Sequence, residues 1–187
     1  YLSIGDTELD HIINDIRSSK PDFILNSLVG DSSYAFLARL AELKKELGLA
    51  KGLTVLSCNF TESEIEAAAG AAEGLVSAGP WFEPDGGFGG SFHEMARQSV
   101  RELAELLHVC PGAEALPLSE LLHAATRSGY SPRLDPTHLH ARQPAIIARL
   151  ENGRFSEIKR LSPMRADPYL TYRSRALQSD VFLKVVP

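Results

Sequence analysis

Several residue types are scarce in this chain of 187 residues, which holds two cysteines, two methionines and one tryptophan. Cys58 and Cys110 are too few for a disulfide framework, so two free or buried thiols are expected. A single bridge, and with it the redox compartment, stays open. No apolar run approaches the ~20 residues that a membrane-spanning helix needs. Positive charge is not in excess: 19 Lys and Arg stand against 24 Asp and Glu, a net charge of −5. That balance excludes a basic groove for direct nucleic-acid binding. The first residues, "YLSIGDTELD", lack the basic start and apolar stretch of a signal peptide. They also lack a Met, so sequence upstream of Tyr1 is expected. There is no internal repeat and no low-complexity segment.

What is present alternates between helix and strand signals. With Asp6 or Thr7 as cap, Leu9, Ile12, Ile13 and Ile16 form one helical face. Lys20-Pro21-Asp22 ends it, and Phe23 to Leu28 is a short apolar run suited to a buried parallel strand. Asp31-Ser32-Ser33 starts a second helix, whose face is Phe36, Leu37, Leu40, Leu43 and Leu47, and Gly48 stops it. Thr54 to Phe60 is the next strand. Thr61-Glu62-Ser63-Glu64 matches a capping box and predicts an Ala-rich helix to about Ala72. Leu75 to Phe82 is a third strand. The expected fold class is therefore α/β, a parallel sheet flanked by helices. Glu83 to Gly90 is a flexible loop, and two helices follow at about Phe92 to His108 and Leu118 to Arg127. Short extended segments come last: Ser131 to Asp135, Ala145 to Leu150, and Phe155 to Leu161. Asn152-Gly153 between the last two marks a hairpin, because both residues accept positive φ. The divisions are thus an α/β portion over 1–83, a loop over 84–90, a helical segment over 91–128, and a β-hairpin with tail over 129–187.

The stretch "NSLVGDSS" poses the main chemical question. Gly30-Asp31-Ser32 after a strand, with Asp135-x-x-His138 downstream, matches the elements of a Gly-Asp-Ser-Leu serine esterase. Ser32 would be the nucleophile, His138 its base and Asp135 the orienting acid. The plainer reading is a turn glycine with a helix cap from Asp31 or Ser32. In open α/β sheets a ligand sits beyond the C-terminal ends of the strands. Gly30, Asp31 and Ser32 lie there after the first strand, and their N–H groups suit a carbonyl or carboxylate. Ser57, Asn59 and Thr61 lie there after the second. Trp81 and Phe82 follow the third and would supply an aromatic wall. His138-Leu139-His140 has a spacing zinc sites use, but no nearby carboxylate or cysteine completes a set. "GGFGG" lacks the Lys of a phosphate loop. No metal or cofactor is implied.

The order of segments resembles a known family. "YLSIGDTELD" and "KPDFILNSLVGDSSYAF" are similar to the "Y-x-P-L-G-x-T-D" and "K-P-D-x-I-x-N-T-L-x-G-D-S-N-x-A-F" elements of type I periplasmic-binding-protein-like chains. The branch is the urea- and short-chain-amide-binding one, comprising transporter receptors and amide-sensing regulators of amidase operons. Leu56-Ser57, Thr61 to Ile65 and Glu73-Gly74 match further elements. "LDPTHLHARQPAIIARLENGRF" resembles its hairpin segment and "SPMRADPYL" its closing stretch. The resemblance makes Asp135 and His138 part of a hairpin segment rather than a triad.

It implies a non-catalytic binder of a small amide or urea-like ligand, a bacterial ligand sensor or an ABC-transporter substrate-binding protein. The implied partners are that ligand, an N-terminal lobe of the same protein, and a transporter permease or an antitermination regulator; a homodimer is compatible. The compartment would be the periplasm for a receptor and the cytoplasm for a regulator. Two departures stand out. The chain starts about midway through such a protein, as a single incomplete domain without the first lobe. "EPDGGFGGSFHEMARQSV" replaces a longer, aromatic-rich stretch.

Overall fold

The computed structural model describes residues 2–48, 52–83, 89–127 and 140–165. Asp135 and His138, and the extended segment expected at Ser131 to Asp135, lie outside them. The chain forms two compact units, residues 1–99 with 144–162, and 100–143 with 163–187.

The first unit is built on one five-stranded sheet in the order β1-β2-β3-β4-β5. Its strands are β1 (Phe23–Asn26), β2 (Thr54–Ser57), β3 (Val76–Gly79), β4 (Ile146–Glu151) and β5 (Arg154–Arg160). β1, β2 and β3 run parallel, as the alternation of elements predicts, and each is shorter than its apolar run. β4 pairs antiparallel with β3, and β5 with β4, so the hairpin completes this same sheet. Asn152 (φ 54°) and Gly153 (φ 74°) make its turn, in the conformation that type I′ geometry demands. Along β4, Ile146, Ala148 and Leu150 are buried while Arg149 and Glu151 are not, the period of two of a half-covered sheet.

Helices α1 (Asp10–Ser19) and α2 (Asp31–Glu46) cover one face. Leu9, Ile13, Phe36, Leu37, Leu40 and Leu43 pack with Val55, Phe60, Leu75 and Phe155 into a single core. Two caps differ from expectation. Leu9, not Asp6 or Thr7, precedes α1, because its side chain is buried in the core; Asp6 Oδ1 instead accepts the Glu8 N–H at 2.9 Å in a turn before the helix. At α2, neither Asp31 nor Ser32 caps with its side chain. Gly30, at φ 58°, is the cap residue, and its carbonyl accepts the Ser33 and Tyr34 N–H groups at 2.9 and 3.1 Å. Asp31 is already inside the first turn, where its charge acts only on the helix dipole.

The Ala-rich helix expected to Ala72 does not form. A 3₁₀ turn at Glu62–Glu64 is followed by tight turns, with Ala69 and Gly70 at φ 47° and 81°. Ala68 and Ala72 are buried in the core, and the Gly74 and Leu150 N–H groups bond across to Leu150 and Leu75 carbonyls, both at 2.8 Å. Core packing and the β4 ladder bend this backbone against alanine's helix preference, which is worth under ~1 kcal/mol per residue.

α3 (Gly90–Val109) begins in the first unit and ends in the second. The second unit continues through Gly112 (φ 86°) and a 3₁₀ turn at Ala113–Ala115 to α4 (Leu118–Arg127). It also holds an antiparallel bridge between Gln143 and Met164. Cys58 and Cys110 are free thiols. No helix among the described residues is long and apolar enough to cross a membrane.

Candidate functional site

Parallel strands bring their C-terminal ends to one edge, and the chain leaves β1, β2 and β3 there. At that edge lies a cleft of ≈ 370 Å³, lined by Val29 from the first exit, Cys58, Asn59 and Thr61 from the second, and Ser77, Ala78, Gly79, Pro80 and Phe82 from the third. The start of α3 closes the fourth side with Ser91, Phe92 and Met95.

Short polar side chains hold these exits in place. Ser57 Oγ accepts the Asn59 and Phe60 N–H groups at 3.1 and 3.2 Å, turning the chain after β2. Asn59 Nδ2 donates to the Ser27 carbonyl at 2.9 Å, tying the second exit to the first. Ser77 Oγ donates to the Phe60 carbonyl at 2.6 Å, tying β3 to the second. Glu64 Oε2 accepts the Thr61 N–H at 2.7 Å, the carboxylate half of the expected capping box. These bonds use one of the two Asn59 Nδ2 hydrogens and the Ser77 hydroxyl hydrogen, which leaves Asn59 Oδ1 and the Ser77 Oγ lone pairs as acceptors and the second Nδ2 hydrogen as a donor. No Lys, Arg or His is among the described residues that line the cleft.

Of the residues singled out in the sequence, the structure brings Asn59, Thr61 and Phe82 together in the cleft. Gly30 and Asp31 follow Val29 at the first exit but do not line it. Ser57 is buried and acts through its turn. Ser32 is only 2% exposed, and its Oγ has no hydrogen-bond partner among the described residues. Trp81 faces a separate groove with Phe82, Phe155, Glu157 and Arg160. Phe82, buried against Phe155 at a centroid distance of 4.6 Å, divides groove from cleft. Sequence reasoning missed Ser77, Ser91 and Met95. Ser91 and Met95 are four residues apart on one helical face, a signal that was there to read. Met95 alone on such a face reads as core.

The Ser32 and Ser33 environments predict opposite outcomes for one deletion. Ser33 Oγ accepts the buried Asn26 amide at 3.1 Å, so Ser33→Ala strands that donor and should cost about 1–2 kcal/mol. Ser32→Ala removes a hydroxyl with nothing to lose and should leave stability unchanged within ~0.5 kcal/mol, or raise it. Urea unfolding of both variants checks this, and an equal loss in each would show that Ser32 has a partner.

Burial pushes the Glu64 carboxyl above its ordinary range, against the pull of its hydrogen bonds from Thr61. The folded state therefore holds this proton more tightly than the unfolded chain. That contribution to stability is complete below the unfolded value of about 4.3 and is lost as pH rises through the raised folded value. Glu64→Gln cannot titrate. Its stability relative to wild type should improve as pH climbs through that window and then level off, which unfolding curves at a series of pH values would show.

Three comparisons bear on this architecture. Residues 1–84 match the family model described as a periplasmic binding protein domain. No curated protein matches the chain closely enough to count as a relative. Solved structures share its fold. A solute binding protein of an ABC transporter from R. palustris, in complex with benzoate, is 14% identical with a TM-score of 0.66, over 89% of this chain and 50% of that one. A leucine-, isoleucine-, valine-, threonine- and alanine-binding protein from Brucella ovis is 13% identical with a TM-score of 0.65, over 88% and 50%. A leucine binding protein from Thermotoga maritima is 14% identical with a TM-score of 0.60, over 85% and 50%. The chain thus spans about half the length of the solved proteins it matches, and it shares their fold over that half.

Proposed function

We propose that this chain supplies one side of a non-catalytic binding site for a small neutral amide or urea-like solute, in transport or in sensing. The observation that carries this is the chemistry of the cleft. Its polar side chains include Asn59, with Oδ1 as acceptor and a second Nδ2 hydrogen as donor, Ser77 Oγ as acceptor and the Thr61 hydroxyl, beside the apolar surfaces of Phe82, Phe92 and Met95. A carboxamide or urea brings N–H donors to such acceptors. A benzoate or an amino acid brings a carboxylate, for which the described cleft residues hold no cation. Phe92 is 68% exposed although it lines the cleft, which suits a site completed by a second surface.

A nucleophilic Ser32 is not compatible with its burial at 2% exposure. The test is titration of the ¹⁵N-labelled protein with acetamide, butyramide, urea, benzoate and leucine. The first three should shift the Asn59, Ser77 and Ser91 resonances, and the last two should not. Shifts with benzoate alone would refute the amide reading.

A further inference from the structure

We propose that Glu62 is the positioning residue of the cleft, a carboxylate that fixes the α3 wall against the strand exits. Glu62 follows β2, yet its carboxylate bonds to residues far along the chain. Oε1 accepts the Glu83 N–H at 2.6 Å, and Oε2 accepts the Ser91 N–H at 3.0 Å. Ser91 Oγ stands 2.7 Å from Oε2 and 2.7 Å from the Trp81 carbonyl, so its one hydrogen serves two acceptors. One side chain therefore gathers the exit from β3 and the first turn of α3.

Gly90 shows how closely the fit is made. Its φ is +60°, and a Cβ there would meet Glu62 Cβ and Oε2 at 3.0 Å. A side chain at Gly90 would push the carboxylate off both N–H groups. Of the two donors, Ser91 N–H lies in the first turn of α3, where a negative charge is favoured. Because Ser91 in this turn and Met95 in the next reach the cleft, Glu62 sets the cleft's width without lining it. The inference rests on the cleft being the ligand site only for its consequence in binding; the clamp itself is tested without ligand.

The isosteric Glu62→Gln separates clamping from space filling. A glutamine keeps the volume beside Gly90 but has one acceptor oxygen for two N–H groups on different segments. Amide exchange by NMR should be at least tenfold faster at Glu83 or Ser91 in Glu62→Gln, and at both in Glu62→Ala. Leu56 within β2 should keep its wild-type rate. The Met95 methyl resonance should move in both variants and that of Met164, the other methionine, should not. With acetamide as probe, the midpoint of the Met95 shift should rise at least threefold in Glu62→Gln under conditions where both proteins are fully folded. Wild-type rates at both amides in Glu62→Ala would overturn the proposal, as would acceleration spread equally to Leu56. If the amides respond as expected but acetamide moves no resonance in the wild type, the clamp stands and the amide reading of the cleft falls.

Discussion

Phe82→Ala should lower the unfolding free energy by about 3 kcal/mol, the usual loss for a buried ring truncated in a core that cannot close around the gap. Phe82 is 8% exposed, sits 4.6 Å from Phe155, and has Gly79 beside it, where a Cβ would lie 3.4 Å from the ring. Its removal takes away the partition between the cleft and the groove of Trp81. The emission of Trp81, the single tryptophan, should move to the red as water reaches that groove. Phe82→Leu restores most of the volume and should cost about 1 kcal/mol. Urea unfolding followed by fluorescence reads both quantities. A loss below ~1 kcal/mol in the alanine variant, with unshifted emission, would mean that the ring holds neither the core nor the partition.

The second large effect concerns affinity. This chain alone should bind acetamide or urea only weakly, with a Kd in the range of roughly 1 mM or above. The described cleft offers few polar contacts and an exposed Phe92, and the solved proteins of this fold are about twice as long. Closure of a second lobe over a ligand adds contacts and excludes water. A longer protein carrying an upstream lobe as well should bind at least about 100-fold more tightly, equivalent to about 2.7 kcal/mol. Calorimetry on the two forms makes the comparison. Micromolar binding by this chain alone would show that one lobe is sufficient and would remove the argument for closure.

Much of the framework was legible in the sequence because it depends on local periodicity and turn chemistry. Leu9, Ile13 and Ile16 recur at helical spacing and form the inward face of α1; Phe36, Leu37, Leu40 and Leu43 do the same for α2. Apolar runs separated by helices meant parallel strands, and the sheet has them. Asn152-Gly153 specified its turn because few other residues tolerate positive φ in succession. The common edge of Asn59, Thr61 and Phe82 also followed, since it needs only that three strands run the same way.

What tertiary structure decided is which neighbour on each exit faces the cleft and which turns inward. Trp81 and Phe82 are adjacent and alike in sequence, but one faces the outer groove while the other reaches Phe155, a residue 73 positions later that only β4–β5 pairing brings near. Ser32 and Asp31 could each have been a cap or a ligand, until the packing of α2 buried Ser32 and left the cap to Gly30. Ala67 to Ala72 had the composition of a helix and lost it to the core contacts of Ala68 and Ala72 and to the bonds that hold the following Gly74 and Leu75 to Leu150. Glu62 carried no local sign of its role, because its donors lie 21 and 29 residues away. Local energies of a few tenths of a kcal/mol per residue can be read along a chain; contacts between residues far apart in sequence outweigh them, and exist only once the sheet has brought those residues together.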